Sequence, residues 1–359
     1  MRLCVAIATL ALLAGCSAPG GGEASGPTPV ISQEPLAELD LAPDPRAHVG
    51  ASTALLASDA IDVLDPVPAQ QLPVTVTSHD AGGDREVTVS DASRVLGVDL
   101  AGSIAATIAG LGYASDLVGR DISTTFPGSE ELPLVTSGGH TINAESVLAL
   151  RPTLIITDGT VGPRDVLEQL REAGITVVFV ENEPSFEGAA QLARDVAAAL
   201  GVAEGGERLA QRITDEVDRK IAEIAAIAPA APADRVRMVF LYLRGGSGIY
   251  YLFGEESGAD VLIRALTGVD VAGEIGWEGM RPMTDEALIA ADPDLVLVMT
   301  DGIESAGGVD GLLASKPALA LTTAGQNRRF VDMADGVVLG FGPRSAAVLD
   351  ALARAVYAP

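Results

Sequence analysis

The sequence predicts an α/β protein of two lobes, each built on a mainly parallel sheet and joined to the other by one long helix. Three observations predict it. Strand-like apolar runs alternate with helical periodicity, one unit of the chain occurs twice, and an unbroken amphipathic stretch separates the two copies.

The alternation starts after a hairpin pattern. Leu72–Ser78 and Arg85–Ser90 alternate in polarity around Ala81-Gly82-Gly83-Asp84. Beyond them, runs rich in Val, Ile and Leu lie at Leu154–Ile156, Thr176–Val180, Met238–Leu243 and Leu295–Met299. Helical spacing lies at Ser103–Leu111, Pro163–Glu172, Glu187–Leu200 and Ala346–Val356. Strand and helix in this order make βαβ units, and hence two Rossmann-like lobes.

The repeat compares Glu145-Ser-Val-Leu-Ala-Leu-Arg-Pro152 with Glu286-Ala-Leu-Ile-Ala-Ala-Asp-Pro293. Each copy continues into an apolar run and then Thr-Asp-Gly, at Thr157-Asp158-Gly159 and Thr300-Asp301-Gly302. The pattern reads as a short helix, a buried strand and a closing turn. Between the copies, Glu204–Ala228 carries Leu209, Ile213, Val217, Ile221 and Ile224 on one stripe, a helix of roughly 37 Å. Pro229 and Pro232 stop it. The expected organisation is an N-terminal lobe at 69–203, the inter-lobe helix at 204–228 and a C-terminal lobe at 229–359.

The first 68 residues read differently. Arg2 and the apolar run Val5–Ala14 have the make-up of a signal peptide, expected at 1–15, too short to span a bilayer as a helix. Leu13-Ala14-Gly15-Cys16 resembles the lipobox of bacterial lipoproteins, which implies lipidation of Cys16 and anchoring at the outer face of the cell membrane. Cys4 leaves with the peptide, so no disulfide and no cysteine nucleophile is available. Residues 16–68 are rich in Gly, Pro and acidic side chains and read as a flexible tether, with one weak helix expected around Ser52–Leu64. The 49 Asp and Glu against 23 Lys and Arg leave no basic stripe for phosphates, which excludes nucleic acid as a partner.

The two repeat segments, Asn143–Pro152 and Thr284–Asp294, resemble the paired signatures of the helical-backbone solute-binding proteins. That family of ABC-importer components serves vitamin B12, ferric siderophores and haem. The resemblance covers roughly residues 70–359. It implies a ligand cleft between the lobes, a permease and its ATPase as partners, and docking of Glu145 and Glu286 on arginines of the two permease subunits.

The ligand is read from the residues expected at the cleft. In Met238-Val-Phe-Leu-Tyr242-Leu-Arg244-Gly245-Gly246, a period of two puts Phe240, Tyr242 and Arg244 on one face near the strand's carboxyl end, where open α/β sheets bind ligands. A phenol ionises near pH 10, and a neighbouring guanidinium that donates to the phenolate favours the anionic form. The product is a hard oxygen ligand for ferric iron. The segment also resembles the haem-ligating strand of haem-binding members. Thr136-Ser-Gly-Gly-His140 supplies a histidine from the other lobe, so His140 and Tyr242 are expected to hold haem b axially, as the transported ligand. Arg281 and Arg344, in Gly- or Pro-containing loops, are candidates for the haem propionates.

Two alternatives stay open within the binding class. Free ferric iron would use Tyr250 and Tyr251 with Glu255 and a histidine. A ferric siderophore or corrinoid would use the same cleft, though Trp277, the only tryptophan, offers little stacking surface. His48 and His79 lie away from the expected cleft, which disfavours a three-histidine zinc site. No nucleophile–His–carboxylate set, G-x-S-x-G elbow or phosphate loop occurs, so an enzyme is not expected.

Overall fold

The computed structural model describes residues 33–359; the expected signal peptide at 1–15, Cys16 and residues 17–32 lie outside the described residues. The chain enters with an extended segment carrying β1 (Ser52–Thr53), then forms the hairpin β2 (Val74–Asp80) and β3 (Gly83–Val89). The N-terminal lobe follows with β4 (Val95–Val98), α1 (Ser103–Gly110), the small ribbon β5 (Thr136–Ser137) and β6 (Thr141–Ile142), and α2 (Ala144–Leu150). It closes with β7 (Leu154–Thr157), α3 (Arg164–Glu172), β8 (Thr176–Phe179) and α4 (Phe186–Ala199). Strands β4, β7 and β8 form a wholly parallel sheet, as their near-continuous burial requires.

α5 (Ala203–Ile227) is the expected 25-residue spine, burying Leu209, Ala210, Ile213, Val217 and Ile224. The C-terminal lobe contains β9 (Arg237–Arg244), β10 (Ile249–Phe253), α6 (Ala259–Ala265), β11 (Val269–Asp270), α7 (Val271–Glu274) and β12 (Met280–Pro282). It continues through α8 (Asp285–Ala291), β13 (Leu295–Met299), α9 (Thr300–Ser305) and β14 (Phe330–Met333) to a last helix at Ser345–Tyr357. Its sheet runs β1-β14-β13-β9-β10-β12, with β11 also on β9. The pairs from β1 to β9 are parallel, and β10 and β12 add an antiparallel edge. One apolar cluster joins Val95, Ile104 and Ile108 through Leu192, Leu209 and Ile213 to Phe240, Leu349 and Leu352, so the spine is shared core for both lobes.

Residues 33–68 depart from the expected tether. Leu36, Leu56 and Leu64 are buried in that shared cluster. The Ala42 N–H donates to the Tyr357 carbonyl at 2.8 Å, and Arg46 pairs with Asp294 at 2.8 Å. Where a weak helix was expected, β1 instead adds a parallel edge to β14. Further on, Leu64 N–H bonds the Gly110 carbonyl, while Arg208 and Arg212 of the spine donate to the carbonyls of Asp65, Pro66 and Asp62. The segment is a strap from the C-terminal lobe to the N-terminal lobe, beside the spine. Its backbone groups find partners on distant elements, and its scattered aliphatics fill the seam, which composition alone underrates.

The second copy of the repeat also differs. Thr157-Asp158-Gly159 leaves β7 as a turn, whereas Thr300-Asp301-Gly302 opens helix α9.

Candidate ligand-binding site

The segments that follow β4 and β14 meet, where the Thr125 hydroxyl donates to the Gly336 carbonyl at 3.4 Å. On the N-terminal side, Thr136↔Ile142 and Ser137↔Thr141 pair, so Gly138-Gly139-His140 is the tip of a tight hairpin. Gly138 and Gly139 take φ of +57° and +92°, the left-handed region that side chains resist. An added Cβ at either would meet nothing within 4 Å, so these glycines serve the turn and leave open space at its tip. His140 is half-buried, and its Nδ1 is buried without a hydrogen-bond partner. Burial holds its pKa below the usual histidine value; Asp121 opposes this and Arg244 of the other lobe adds to it. A neutral ring can ligate a metal, and with Nδ1 buried it is Nε2 that is left for the task.

On the C-terminal side, Phe240 is buried, and Tyr242 and Arg244 follow on the same face of β9 towards its end. The Tyr242 ring stacks on Phe253 at 6.1 Å between centroids and meets Tyr251 edge-on at 6.5 Å. The Arg244 guanidinium carbon lies 4.5 Å from the Tyr242 ring centroid. Its Nη2 donates to Asp335 at 2.9 Å and its Nη1 to the Leu243 carbonyl at 2.8 Å. The expected donation from Arg244 to the phenol oxygen is therefore replaced by stacking: the carboxylate of Asp335 draws the guanidinium across the ring face. Gly245 ends the strand where an added Cβ would meet Ala306 Cα and Ser305 O at 2.5 Å, so the close approach of α9 needs glycine.

Arg244 is near enough for its charge to lower the His140 pKa, and Tyr242 lies under the guanidinium. The structure does not gather the other candidates there. Arg281 pairs in register with Leu252, whose cross-strand partner is Leu241, so it sits on the sheet face opposite Tyr242. It is exposed and pairs with Glu278 at 3.4 Å. Arg344 is buried, donates weakly to the Gly336 carbonyl at 3.5 Å and leaves Nη1 unpartnered. Burial lowers its pKa, and Asp59 of the strap opposes this. Glu145 on α2 and Glu286 on α8 are exposed.

Tyr250 and Tyr251, the pair for free iron, are split by the pleat. Tyr251 faces Tyr242, whereas Tyr250 lies across from Leu243 and stacks on Lys316 at 3.8 Å. Adjacent strand residues point to opposite faces, so the two phenols cannot share one ion. His79 pairs with Asp84 at 2.9 Å, and no three-residue His, Cys, Asp or Glu cluster suited to a metal occurs among the described residues.

Sequence reasoning missed two groups. Asp335 fixes Arg244 from 91 residues away. At the carboxyl edge of the N-terminal sheet, the Asn182 amide donates to Asp158 at 2.9 Å and to Asp99 at 3.5 Å, while Asp121 accepts from the Asp99 N–H at 3.0 Å. Asp99 accepts from the N–H groups of Ser103 and Ile104 at 2.9 Å and holds the start of α1. An Asp directly after a buried strand and just before a helix is the signal that could have found it.

Residues 98–336 match the family described as periplasmic binding protein. The chain belongs to that family. As a periplasmic binding protein it captures a solute and is not an enzyme. It is 25% identical over 299 residues to the uncharacterized ABC transporter substrate-binding lipoprotein YvrC of Bacillus subtilis (strain 168), covering 82% of this chain and 90% of YvrC. Among solved structures, the heme-binding protein HmuT superposes with a TM-score of 0.81 at 39% identity, over 88% of this chain and 100% of HmuT. Variants of HmuT with alanine in place of an arginine, a tyrosine or a histidine superpose as well. The periplasmic heme-binding protein RhuT from Roseiflexus sp. RS-1 gives 0.67 at 36% identity, over 75% of this chain and 99% of RhuT.

Proposed function

We propose that this binding protein captures haem for an ABC importer and holds the iron axially between His140 and Tyr242. The observation that carries the proposal is the meeting of lobes. An imidazole that burial keeps neutral comes from one side, and a phenol packed by Arg244 and Phe253 comes from the other. A flat, doubly accessible iron complex fits two ligands facing each other, whereas a closed chelate has no free axial positions. The similarity to HmuT supports the reading. The tyrosine and arginine replaced in its variants stand two positions apart, as Tyr242 and Arg244 do.

Arg244 serves as a clamp on the Tyr242 ring. The sheet register turns Arg281 away from Tyr242, and Arg344 keeps a buried, unpartnered Nη1, so Arg344 is the propionate candidate that remains. Cys16 is read as the lipidation site that keeps the mature chain outside the cell membrane, and Glu145 and Glu286 as the contacts for the two permease subunits. Loss of labelled fatty acid incorporation in Cys16→Ser would support the anchor, and unchanged incorporation would remove it.

The deciding experiment is a visible spectrum of the protein purified from haem-fed cells, followed by extraction of the pigment. A Soret band with haem b recovered is expected. A broad charge-transfer band without a Soret band would mean phenolate–iron and overturn the proposal.

A further inference from the structure

Helices α2 and α8 are built alike down to their exposed faces. The Asn143 side chain accepts from Ser146 N–H at 3.0 Å, and that of Thr284 accepts from Ala287 N–H at 3.2 Å. Both helices end on a left-handed residue, Arg151 at φ 46° and Asp292 at φ 36°. Both are anchored by the same internal position, the buried Val147 and Leu288. That anchor turns Glu145 and Leu148 outward on α2, and Glu286 and Ile289 outward on α8, because residues three apart share a helix face. Leu148 is 46% exposed and Ile289 49%. A single exposed aliphatic is ordinary on a soluble protein. The same exposure at the same point of two copies, each one turn after an exposed glutamate, is not explained by packing within either lobe.

We infer that each glutamate–aliphatic pair is one two-part contact, and that its occupant is a permease subunit presenting a cation inside an apolar collar. This inference rests on the docking reading of Glu145 and Glu286 and adds its second component. Two matched faces call for a partner with two matched subunits, and a carboxylate calls for a cation. The aliphatic side chain excludes water beside the ion pair, which strengthens it relative to an open surface pair.

The test uses the full-length haem-loaded protein and its importer reconstituted in nanodiscs, with ATPase stimulation measured against binding-protein concentration. Leu148→Ser with Ile289→Ser should raise the half-saturating concentration roughly tenfold or more and make docking more salt-sensitive. Haem titration and thermal midpoint should be unchanged, since neither residue is buried. Each single variant should show a comparable share of the loss. If Glu145→Gln with Glu286→Gln abolishes stimulation while the aliphatic double variant stimulates normally, the inference fails and the docking reading stands. If both double variants stimulate normally, the docking reading fails with it.

Discussion

The two lobes offer their candidate ligands from opposite kinds of support. Tyr242 stands on a strand with hydrogen-bonded neighbours on both sides, β13 and β10, its ring set against Phe253 and under Arg244. His140 stands at the tip of a ribbon whose strands are two residues each, and its Nδ1 has no partner. The Tyr242 strand is held along its length by its sheet, whereas the ribbon is tied to its lobe at its base, where the Ile142 N–H bonds the Gly162 carbonyl at 2.7 Å. On the proposed haem reading, the difference means that one lobe would preset the iron site and the other would adapt to it.

The largest test of that asymmetry is Tyr242→Phe. The ring still packs and only the oxygen is lost, so fold and melting should be unchanged. Haem affinity should drop by more than the roughly 10- to 100-fold that losing an outer-shell partner costs. Haem titration by absorbance checks it. His140→Ala should weaken binding less, about tenfold, and shift the Soret maximum as one axial ligand is lost. An equal loss in both variants would break the comparison.

Arg244→Ala sharpens it further, because the guanidinium covers the Tyr242 ring and its charge also lowers the His140 pKa. Its removal frees the Tyr242 ring, so haem should dissociate several-fold faster at neutral pH. Removing this cation also removes one cause of the lowered His140 pKa. Protonation of the imidazole, which ends its ability to ligate, then begins at higher pH. In the wild type, haem retention should hold to below the usual histidine value of about 6.5. In Arg244→Ala the falling limb should move upward. Haem transfer to apomyoglobin across a pH series gives both numbers, and a limb that does not move would separate Arg244 from His140.

What the sequence made legible follows periodicity. The α5 stripe, the hairpin at 74–89 and the shared face of Phe240, Tyr242 and Arg244 all come from spacings that one element imposes on itself. The strap at 33–68 has no such spacing, because its bonds are to Tyr357, Asp332, Gly110 and the spine arginines, far away in the chain. The rotamer of Arg244 was equally hidden, since Asp335 decides it. The separation of Tyr250 from Tyr251, by contrast, was readable as soon as that segment was taken as a strand.

The smallest expected effect lies in the adaptable lobe, below the hairpin. Asp99 is fully buried, and burial with the neighbouring charges of Asp121 and Asp158 pushes its pKa up to about 8, against the backbone N–H groups of Ile104 and Ser103. An unfolded Asp titrates near 3.9, so between about pH 4 and 8 the folded protein keeps a proton that the unfolded chain has released. Stability from this group is fully present below that window and is lost as pH rises through it, with a slope of at most about 1.4 kcal/mol per pH unit. Asp121 is shifted the same way and spreads the transition. Asp99→Asn removes the titration but puts an amide where N–H groups donate, so it should melt lower at pH 5. Towards pH 9 the gap to wild type should narrow, by about 2–4 °C for each kcal/mol recovered. In the C-terminal lobe burial raises the Asp335 carboxyl as well, and there Arg244 and the Asp301 N–H oppose the shift. Melting curves of both proteins from pH 5 to 9 decide the matter, and parallel profiles would show that the carboxyl edge of the N-terminal sheet does not sense pH through Asp99.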